Sequence, residues 1–343
     1  MDFQQKNKPL CSVCIANYNG EKYLASCIDS VLNQDFEHPV EIIIHDDASL
    51  DRSVALIKEN YPQVQLMSSS DNVGFCISNN RMVDAAQGKF VLLLNNDAIL
   101  HKNALKTLYG ASLSQGTGIF GLPQYNGQTG ELIDMGSFFD LFLNPIPNID
   151  PRRENVGMII GACLWLPKTL WKHLGGFPEW FGSLAEDMYL CCLARLRGFQ
   201  VKVIPHSGFD HWVGRSIGGG KVVGDGKLST TLSRRAISER NKSFVMVICY
   251  PSYIAWLVVP LHLFFLLMEG ILLTLVKLDK RFWTKIYWNC LKELWCKRYR
   301  LKRQRSAVQR TRQCSPMTFA QPFELIPHKF RMLTKHGLPH VTD

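Results

Sequence analysis

The sequence is short of several things, and each shortage removes a class of protein. No long apolar run opens it: Met1 to Gly20 holds only Leu10–Ala16 before the polar Asn17, so no cleavable secretion signal is expected. Hydrophobic residues are not scarce: at 46% hydrophobic, 20% charged and mean hydropathy near zero, a disordered or fibrous chain is excluded. The 343 residues allow one large domain or two ordinary ones. Cysteines number eleven, an odd count scattered through apolar segments, and Cys11-x-x-Cys14 has no second pair to complete a zinc site. They read as reduced core cysteines of a cytosolic compartment. Gly218-Gly219-Gly220-Lys221 lacks both the Ser/Thr and the leading Gly of a phosphate loop, with Val222 and Arg215 in those places. Positive charge is not spread along the chain. Residues 277–312 hold 13 Lys/Arg and 2 Asp/Glu, which is +11 of a net +10, so the rest carries −1. A uniformly basic nucleic-acid binder is thereby excluded.

What the sequence does contain is a regular alternation. Leu10–Ala16, Val40–Ile44, Val64–Met67 and Phe90–Leu94 are apolar runs of strand length. Between them, Glu21–Leu32, Asp51–Asn60 and Cys76–Ala86 have helical spacing. Such alternation predicts βαβ units around a buried parallel sheet, with right-handed crossovers and ligands at the carboxyl ends of the strands. From Gly116 to Pro167 the pattern loosens into short strands and loops. Helices are expected again at Lys168–Leu174 and Ala185–Arg197, a strand at Val201–Ile204, and a glycine-rich loop over 213–228.

A composition break follows. Ser243–Met268 contains no Asp, Glu, Lys or Arg over 26 residues, long enough for a bilayer, but Pro251 and Pro260 interrupt it. Two halves split at Pro260 would each fall short of a span. The reading is therefore that 244–276 enters one leaflet as a broken or re-entrant helical pair. Beyond it, Phe282, Trp283, Ile286, Tyr287, Cys290, Leu291, Leu294 and Trp295 form a helical apolar stripe backed by Lys285, Lys292, Lys297 and Arg298. A basic amphipathic helix with Trp and Tyr suits a membrane surface, where 281–305 is expected to lie. The last thirty residues carry no signal.

Acidic residues gather at the expected strand ends and helix starts. They are His45-Asp46-Asp47-Ala48-Ser49-Leu50-Asp51, Asn95-Asn96-Asp97, Asp71-Asn72-Val73-Gly74-Phe75 with Asn79-Asn80-Arg81 behind it, and Glu186-Asp187 behind Gly175-Gly176-Phe177. Carboxylates there pack poorly but suit a hard cation or a nucleotide. Plainer roles exist for each. Asp46 and Asp47 could form an Asx turn, Asp51 a helix cap, Asp97 a cap before Lys102, and Glu186 and Asp187 a complement to a helix dipole.

Ile15-Ala16-Asn17-Tyr18-Asn19-Gly20, then Asp46 to Asp51, Asp71 to Phe75, and Leu94-Asn95-Asn96-Asp97 together resemble the family 2 glycosyltransferases of the GT-A fold. Gly161-Ala162-Cys163, Gly175-Gly176-Phe177, Ala185-Glu186-Asp187, His211-Trp212-Val213-Gly214-Arg215-Ser216 and Glu239-Arg240-Asn241 continue the series, most like its bacterial rhamnosyltransferase-like branch. The resemblance covers roughly residues 10–250. It implies an α/β GT-A nucleotide-diphospho-sugar transferase fold, with a mostly parallel sheet flanked by helices; the membrane-associated helical region expected from the uncharged run follows it. The expected division is a catalytic domain over 1–235 (a nucleotide-sugar half about 8–115, an acceptor half about 116–235), membrane-associated helices over 236–312 and a tail over 313–343.

Roles follow from the same resemblance. Asp46 and Asp47 would contact base and ribose, with Asn17, Gly74, Arg81 and Asn96 on the same donor side and Arg81 near phosphate. Asp97 would hold Mg²⁺ or Mn²⁺ in a degenerate D-x-D motif, where the diphosphate oxygens supply most of the coordination. His211 would close over the diphosphate or serve as another metal ligand, and Arg215 and Ser216 are weaker phosphate candidates. Asp187 would be the general base of an inverting displacement, with Glu186 beside it.

The expected partners are a nucleotide-diphosphate sugar, a lipid-linked or glycan acceptor, and the cytoplasmic membrane leaflet, without nucleic acid. Residues 123–160 are expected to shape the acceptor site. A processive synthase is disfavoured because its Q-x-x-R-W motif is absent and only one long apolar region exists. Two alternatives stand beside this reading. One is a surface or nucleic-acid binder using Trp283, Tyr287, Trp288 and Trp295 to stack on bases; the other is a catalytically inactive scaffold of the same fold.

Overall fold

The four apolar runs are strands, and their sequence explains why they lie in the middle of a sheet. In the computed structural model, β1 (Cys11–Asn17), β2 (Val40–Asp46), β3 (Gln65–Ser68) and β4 (Phe90–Asn95) alternate with helices α1 (Glu21–Leu32), α2 (Ser53–Asn60) and α3 (Phe75–Ala85). Residues 8–212, 219–222, 228–337 and 340–342 are described, without the side chains of 213–229, 338–340 and 342. Arg215 and Ser216 lie outside the described residues. β1 and β4 are apolar on both faces and almost wholly buried, as strands covered by helices on both sides must be. The chain then continues through β5 (Ala98–Leu100), α4 (Ala104–Ser114), β6 (Gly118–Gly121), the short strands β7 (Gln124–Asn126), β8 (Leu132–Asp134), β9 (Ser137–Asp140) and β10 (Pro145–Pro147), then β11 (Cys163–Pro167), α5 (Lys168–Leu174), α6 (Glu186–Leu196), β12 (Gln200–Val203) and β13 (Phe209–His211).

Seven strands form the main sheet in the order β12-β6-β11-β4-β1-β2-β3. Pairings β1–β2, β1–β4, β2–β3 and β6–β12 are parallel, while β11 runs antiparallel to both β4 and β6. That reversal matters for function. Cys163 pairs with Leu94, so the residues just before β11 arrive at the carboxyl end of β4. A second sheet, β5-β13-β7-β8, covers the same end. Cys11 and Cys14 are buried core residues of β1, and all eleven cysteines are free, nine of them buried. Nine of the eleven are core residues as expected, whereas Cys296 is exposed and Cys314 half-buried.

The chain divides into two compact units, residues 1–137, 147–194 and 199–213, and residues 138–146, 195–198 and 214–343. The second is helical: α7 (Leu232–Cys249), α8 (Ser252–Lys277), a π-helical turn (Phe282–Tyr287), α9 (Trp288–Cys296), α10 (Arg298–Arg310), α11 (Pro316–Ala320) and α12 (His328–His336). Two expectations are corrected here. The uncharged run does not split at Pro260, because α8 continues through it as one helix of 26 residues and the chain breaks at Tyr250-Pro251 instead. Nor does 281–305 lie as one surface helix. It is broken at Lys297, and Phe282, Ile286, Tyr287 and Cys290 of its stripe are buried with Leu266 and Leu273 of α8. Gly270 allows that approach, since a Cβ there would stand 2.8 Å from the Tyr287 ring.

The tail that carried no sequence signal supplies a cation to this unit. Half-exposed Lys329 of α12 pairs with Glu239 (2.5 Å) and Glu269 (2.7 Å). Buried Lys242 pairs with Glu239 at 2.8 Å and donates to Asn144 Oδ1 at 2.7 Å, and Arg235 pairs with Glu269 at 2.7 Å.

Candidate active site

The loops leaving β1 and β2 are stitched to each other. Asn17, 1% exposed, donates from Nδ2 to Asp46 Oδ1 at 2.8 Å and to Ser49 Oγ at 3.2 Å. Its Oδ1 accepts from Asn96 Nδ2 at 2.8 Å, which joins β1 to the end of β4. Asp46 Oδ2 accepts from the Ser49 N–H at 3.1 Å, an Asx turn that Ala48 completes at φ 61°. Gly20 is required here: a Cβ would fall 2.1 Å from Asn17 Oδ1 and 2.3 Å from Asn96 Nδ2. Asp51 accepts from the N–H groups of Glu21 (2.9 Å) and Ser53 (3.0 Å) and so ties α1 to the start of α2. Burial works against its charge, but those bonds and that from the Ser53 hydroxyl hold the carboxyl below its usual range.

Asp47 is a clamp. Its two oxygens accept from the N–H groups of Val73 (2.7 Å) and Gly74 (2.8 Å), and Gly74 sits at φ 90° just before α3. Asp46 and Asp47 therefore keep only their second lone pairs for any ligand. Arg81 donates to Ser69 Oγ at 2.7 Å and lies 3.4 Å from His45 Nε2, at the carboxyl ends of β2 and β3. Burial pushes the His45 imidazole below its ordinary value, against the pull of the Asp47 carboxylate. Asn80 grips the Gly175-Gly176-Phe177 turn reciprocally, donating to Phe177 O at 2.9 Å and accepting from its N–H at 3.0 Å.

Asp97 caps no helix, since α4 begins at Ala104 behind Asn103. The antiparallel β5–β13 pairing sets His211 opposite Ala98, and His211 Nε2 stands 3.0 Å from Asp97 Oδ1. On its other side His211 Nδ1 is 3.1 Å from Gln124 Nε2, carried by β7. A neutral imidazole that accepts from Gln124 at Nδ1 carries its proton on Nε2 and donates it to Asp97. The Trp212 N–H donates to Asp97 O at 3.1 Å, and the Trp212 ring packs on Tyr23 with centroids 5.4 Å apart.

Asp187 reaches the same rim by a different route. Its Oδ2 accepts from the Gly161 N–H at 3.0 Å, and the next residue, Ala162, accepts from the Asn95 N–H at 3.1 Å. Two hydrogen bonds across one strand end thus connect Asp187 with Asn95-Asn96-Asp97. Asp187 Oδ1 accepts from the Met188 N–H at 2.7 Å, so the helix-start role is also filled. Glu186 is buried beside it at 6% exposure. The thiol of Cys76 is pushed up by its own burial and by the Glu186 and Asp187 carboxylates. Immediately before the pair, Leu184 (φ 67°) and Ala185 (φ 66°) are both left-handed, strain of the kind that collects at functional sites.

Asn17, Asn96, Asp97, His211 and Asp187 therefore share the carboxyl rim of β1 and β4, whereas Arg81 sits over β2 and β3. Sequence reasoning passed over Gln124, which no spacing links to His211, and Gly20, whose need shows only once Asn17 and Asn96 are seen to touch.

Residues 12–175 match the family model described as Glycosyl transferase family 2. This stretch is similar to the family 2 glycosyltransferases. The domain is similar to the glycosyltransferase GlyG of Streptococcus pneumoniae, 30% identical over 105 residues that make up 29% of this chain and 34% of GlyG. The chain thus spans about a third of the length of that relative. Among solved structures, the fold resembles the mannosyltransferase PcManGT from Pyrobaculum calidifontis in complex with GDP-Man and Mn²⁺ (TM-score 0.51, 17% identity, 84% of this chain and 88% of that one). It also resembles GalNAc-T7 with UDP, GalNAc and Mn²⁺ (TM-score 0.58, 16% identity, 72% and 49% of the two chains). At these identities the likeness is one of fold, and the fold is GT-A.

Proposed function

We propose that this chain is an inverting glycosyltransferase. It moves a single sugar from a nucleotide-diphosphate sugar to a hydroxyl of a lipid-linked or cell-envelope glycan acceptor. The observation that carries the reading is the meeting of Asp97 and His211 at the end of β4, two hydrogen bonds from Asp187. A structural pair alone would not need a second carboxylate held over the same rim.

The residues fit a divalent cation, Mg²⁺ or Mn²⁺. A carboxylate oxygen and an imidazole nitrogen converge at 3.0 Å, and among the described residues no cluster of three His, Cys, Asp or Glu forms a closed cage. Two protein donors suffice when diphosphate oxygens and water complete the shell. Asp97 and His211 would hold the ion. His211 offers Nε2 once its proton moves to Nδ1, which requires the Gln124 amide to flip so that its oxygen rather than its nitrogen faces Nδ1. When bound, the cation neutralises the departing nucleoside diphosphate. The manganese named with PcManGT and GalNAc-T7 supports this choice.

The chain's own residues do the rest. Asn17, Asn96, Asp46 and Asp47 shape the donor side. Asp187 takes the proton of the acceptor hydroxyl as that oxygen attacks the anomeric carbon. The Gly161 and Met188 N–H groups fix the orientation of its carboxylate. The helix α8 supports membrane association at the cytoplasmic face, where nucleotide sugars are made. It is about 39 Å long at 1.5 Å per residue, and Trp256 (82%), Leu257 (66%) and Leu275 (65%) of it are exposed. A panel of UDP-, GDP- and dTDP-sugars with purified protein and either cation tests the reading. Turnover of at least one donor, abolished by chelator, is expected; no turnover with any donor overturns it.

A further inference from the structure

The helical unit carries a groove that sugar transfer does not use. Its walls are Val247 of α7, Leu263 of α8, Leu294 of α9 and Leu301 of α10, and its rim is Arg298, Lys302 and Arg305, around about 290 Å³. The three cations recur on α10 at i, i+4 and i+7, so they share one helix face. They are not equivalent. Arg305 is engaged, donating to Val247 O and Tyr250 O at 2.7 Å each, where it closes the end of α7. Arg298 is stacked between the exposed rings of Trp295 (4.5 Å) and Tyr299 (4.4 Å) and donates one N–H to Trp295 O at 2.9 Å, which leaves others of its N–H groups for an anion. Exposed Lys302 has no hydrogen bond or ion pair among the described residues.

Four aliphatic walls under a cationic rim match an amphiphile: a hydrocarbon chain in the groove and an anion at its mouth. They do not match a nucleic acid, which would find nothing to pair with in the walls. Trp256, Leu257 and Leu275 of α8 and Trp288 and Trp295 of α9 are also exposed to solvent. We propose that this groove binds one anionic phospholipid of the bilayer. An acyl chain lies along Val247, Leu263, Leu294 and Leu301, and the phosphate is held by Lys302 and Arg298. The inference rests on the membrane association proposed above.

Flotation of the full chain with phosphatidylcholine vesicles, with and without phosphatidylglycerol, tests it. Removing a cation that touches an anionic headgroup costs about fivefold in partition, so Arg298→Gln with Lys302→Gln should lose about 25-fold on the anionic vesicles. Removing equal charge at exposed Arg300 and Arg303, off the rim, should cost only a few-fold, because salt screens charges held away from the headgroup. Soluble glycerophosphate should not displace the protein, and melting curves confirm that both variants fold. Equal losses from the two pairs, equal binding to neutral and anionic vesicles, or displacement by glycerophosphate or duplex DNA would each overturn the lipid site while leaving the membrane reading in place. Failure to float with either vesicle overturns that reading, and the site with it.

Discussion

Replacing Asp47 by Asn separates two jobs that one carboxylate can do. Both of its oxygens accept backbone N–H groups, from Val73 and Gly74, so the charge holds the loop that opens α3. Asparagine keeps one acceptor and turns an NH₂ toward the other N–H, so one charge-assisted bond is lost. Such a bond contributes about 2 kcal/mol. In a unit of this size that corresponds to a fall in Tm of about 4–8 °C. The damage should travel: the Cys76 N–H donates to Gly182 O at 3.0 Å, and Gly182 precedes the strained turn into Glu186-Asp187. Thermal melts and amide hydrogen exchange are the assays. Exchange at Val73 and Gly74 should quicken in the variant, and donor turnover should drop with it. Unchanged Tm and unchanged exchange alongside lost turnover would refute the clamp and leave Asp47 as a donor contact alone.

Three other predictions concern pH, the helical unit and His211. Burial raises the carboxyl of Asp134 from 3.8 to about 6, against hydrogen bonds from Ser137 and Asn148. A raised acid holds its proton longer in the folded state, so its contribution to stability is present below about pH 4 and is lost as pH rises to about 6. Denaturant melts of Asp134→Asn should lack that decline; an identical slope in both proteins contradicts the assignment. Lys242→Met leaves the buried Glu239 with Lys329 as its one remaining ion-pair partner among the described residues and should cost about 3 kcal/mol in chemical denaturation, whereas a neutral result would show the pair adds nothing. Gln124→Leu removes the partner of His211 Nδ1 and should weaken Mn²⁺ binding about 10- to 100-fold by calorimetry with nucleotide present; unchanged affinity removes Gln124 from the site.

Much of the first unit is legible from residue order because its core strands are apolar on both faces and its turns carry Asn, Asp and Gly. β1, β2 and β4 could hardly sit anywhere but the middle of a sheet. The meeting of His211 with Asp97 was foreseeable only as a shared role, because the pairing that makes it joins β5 to β13 across more than a hundred residues. The helical unit resisted for another reason. Pro260 reads as a break, yet packing of Val258, His262 and Leu266 carries α8 past it. Lys329 sits in a stretch without periodicity, and its purpose exists only where α7, α8 and α12 bring two glutamates to it.

The claim beneath all of this is that Asp97 and Asp187 serve one reaction from one rim. Sugar transfer measured for Asp97→Ala and Asp187→Asn, with donor affinity measured beside it, tests that most directly. Asp187→Asn should lower kcat by about 10²–10⁴ while still binding donor, as expected for loss of a positioned base. Asp97→Ala should lose cation-dependent donor binding as well. Near-normal transfer in either variant would contradict the account.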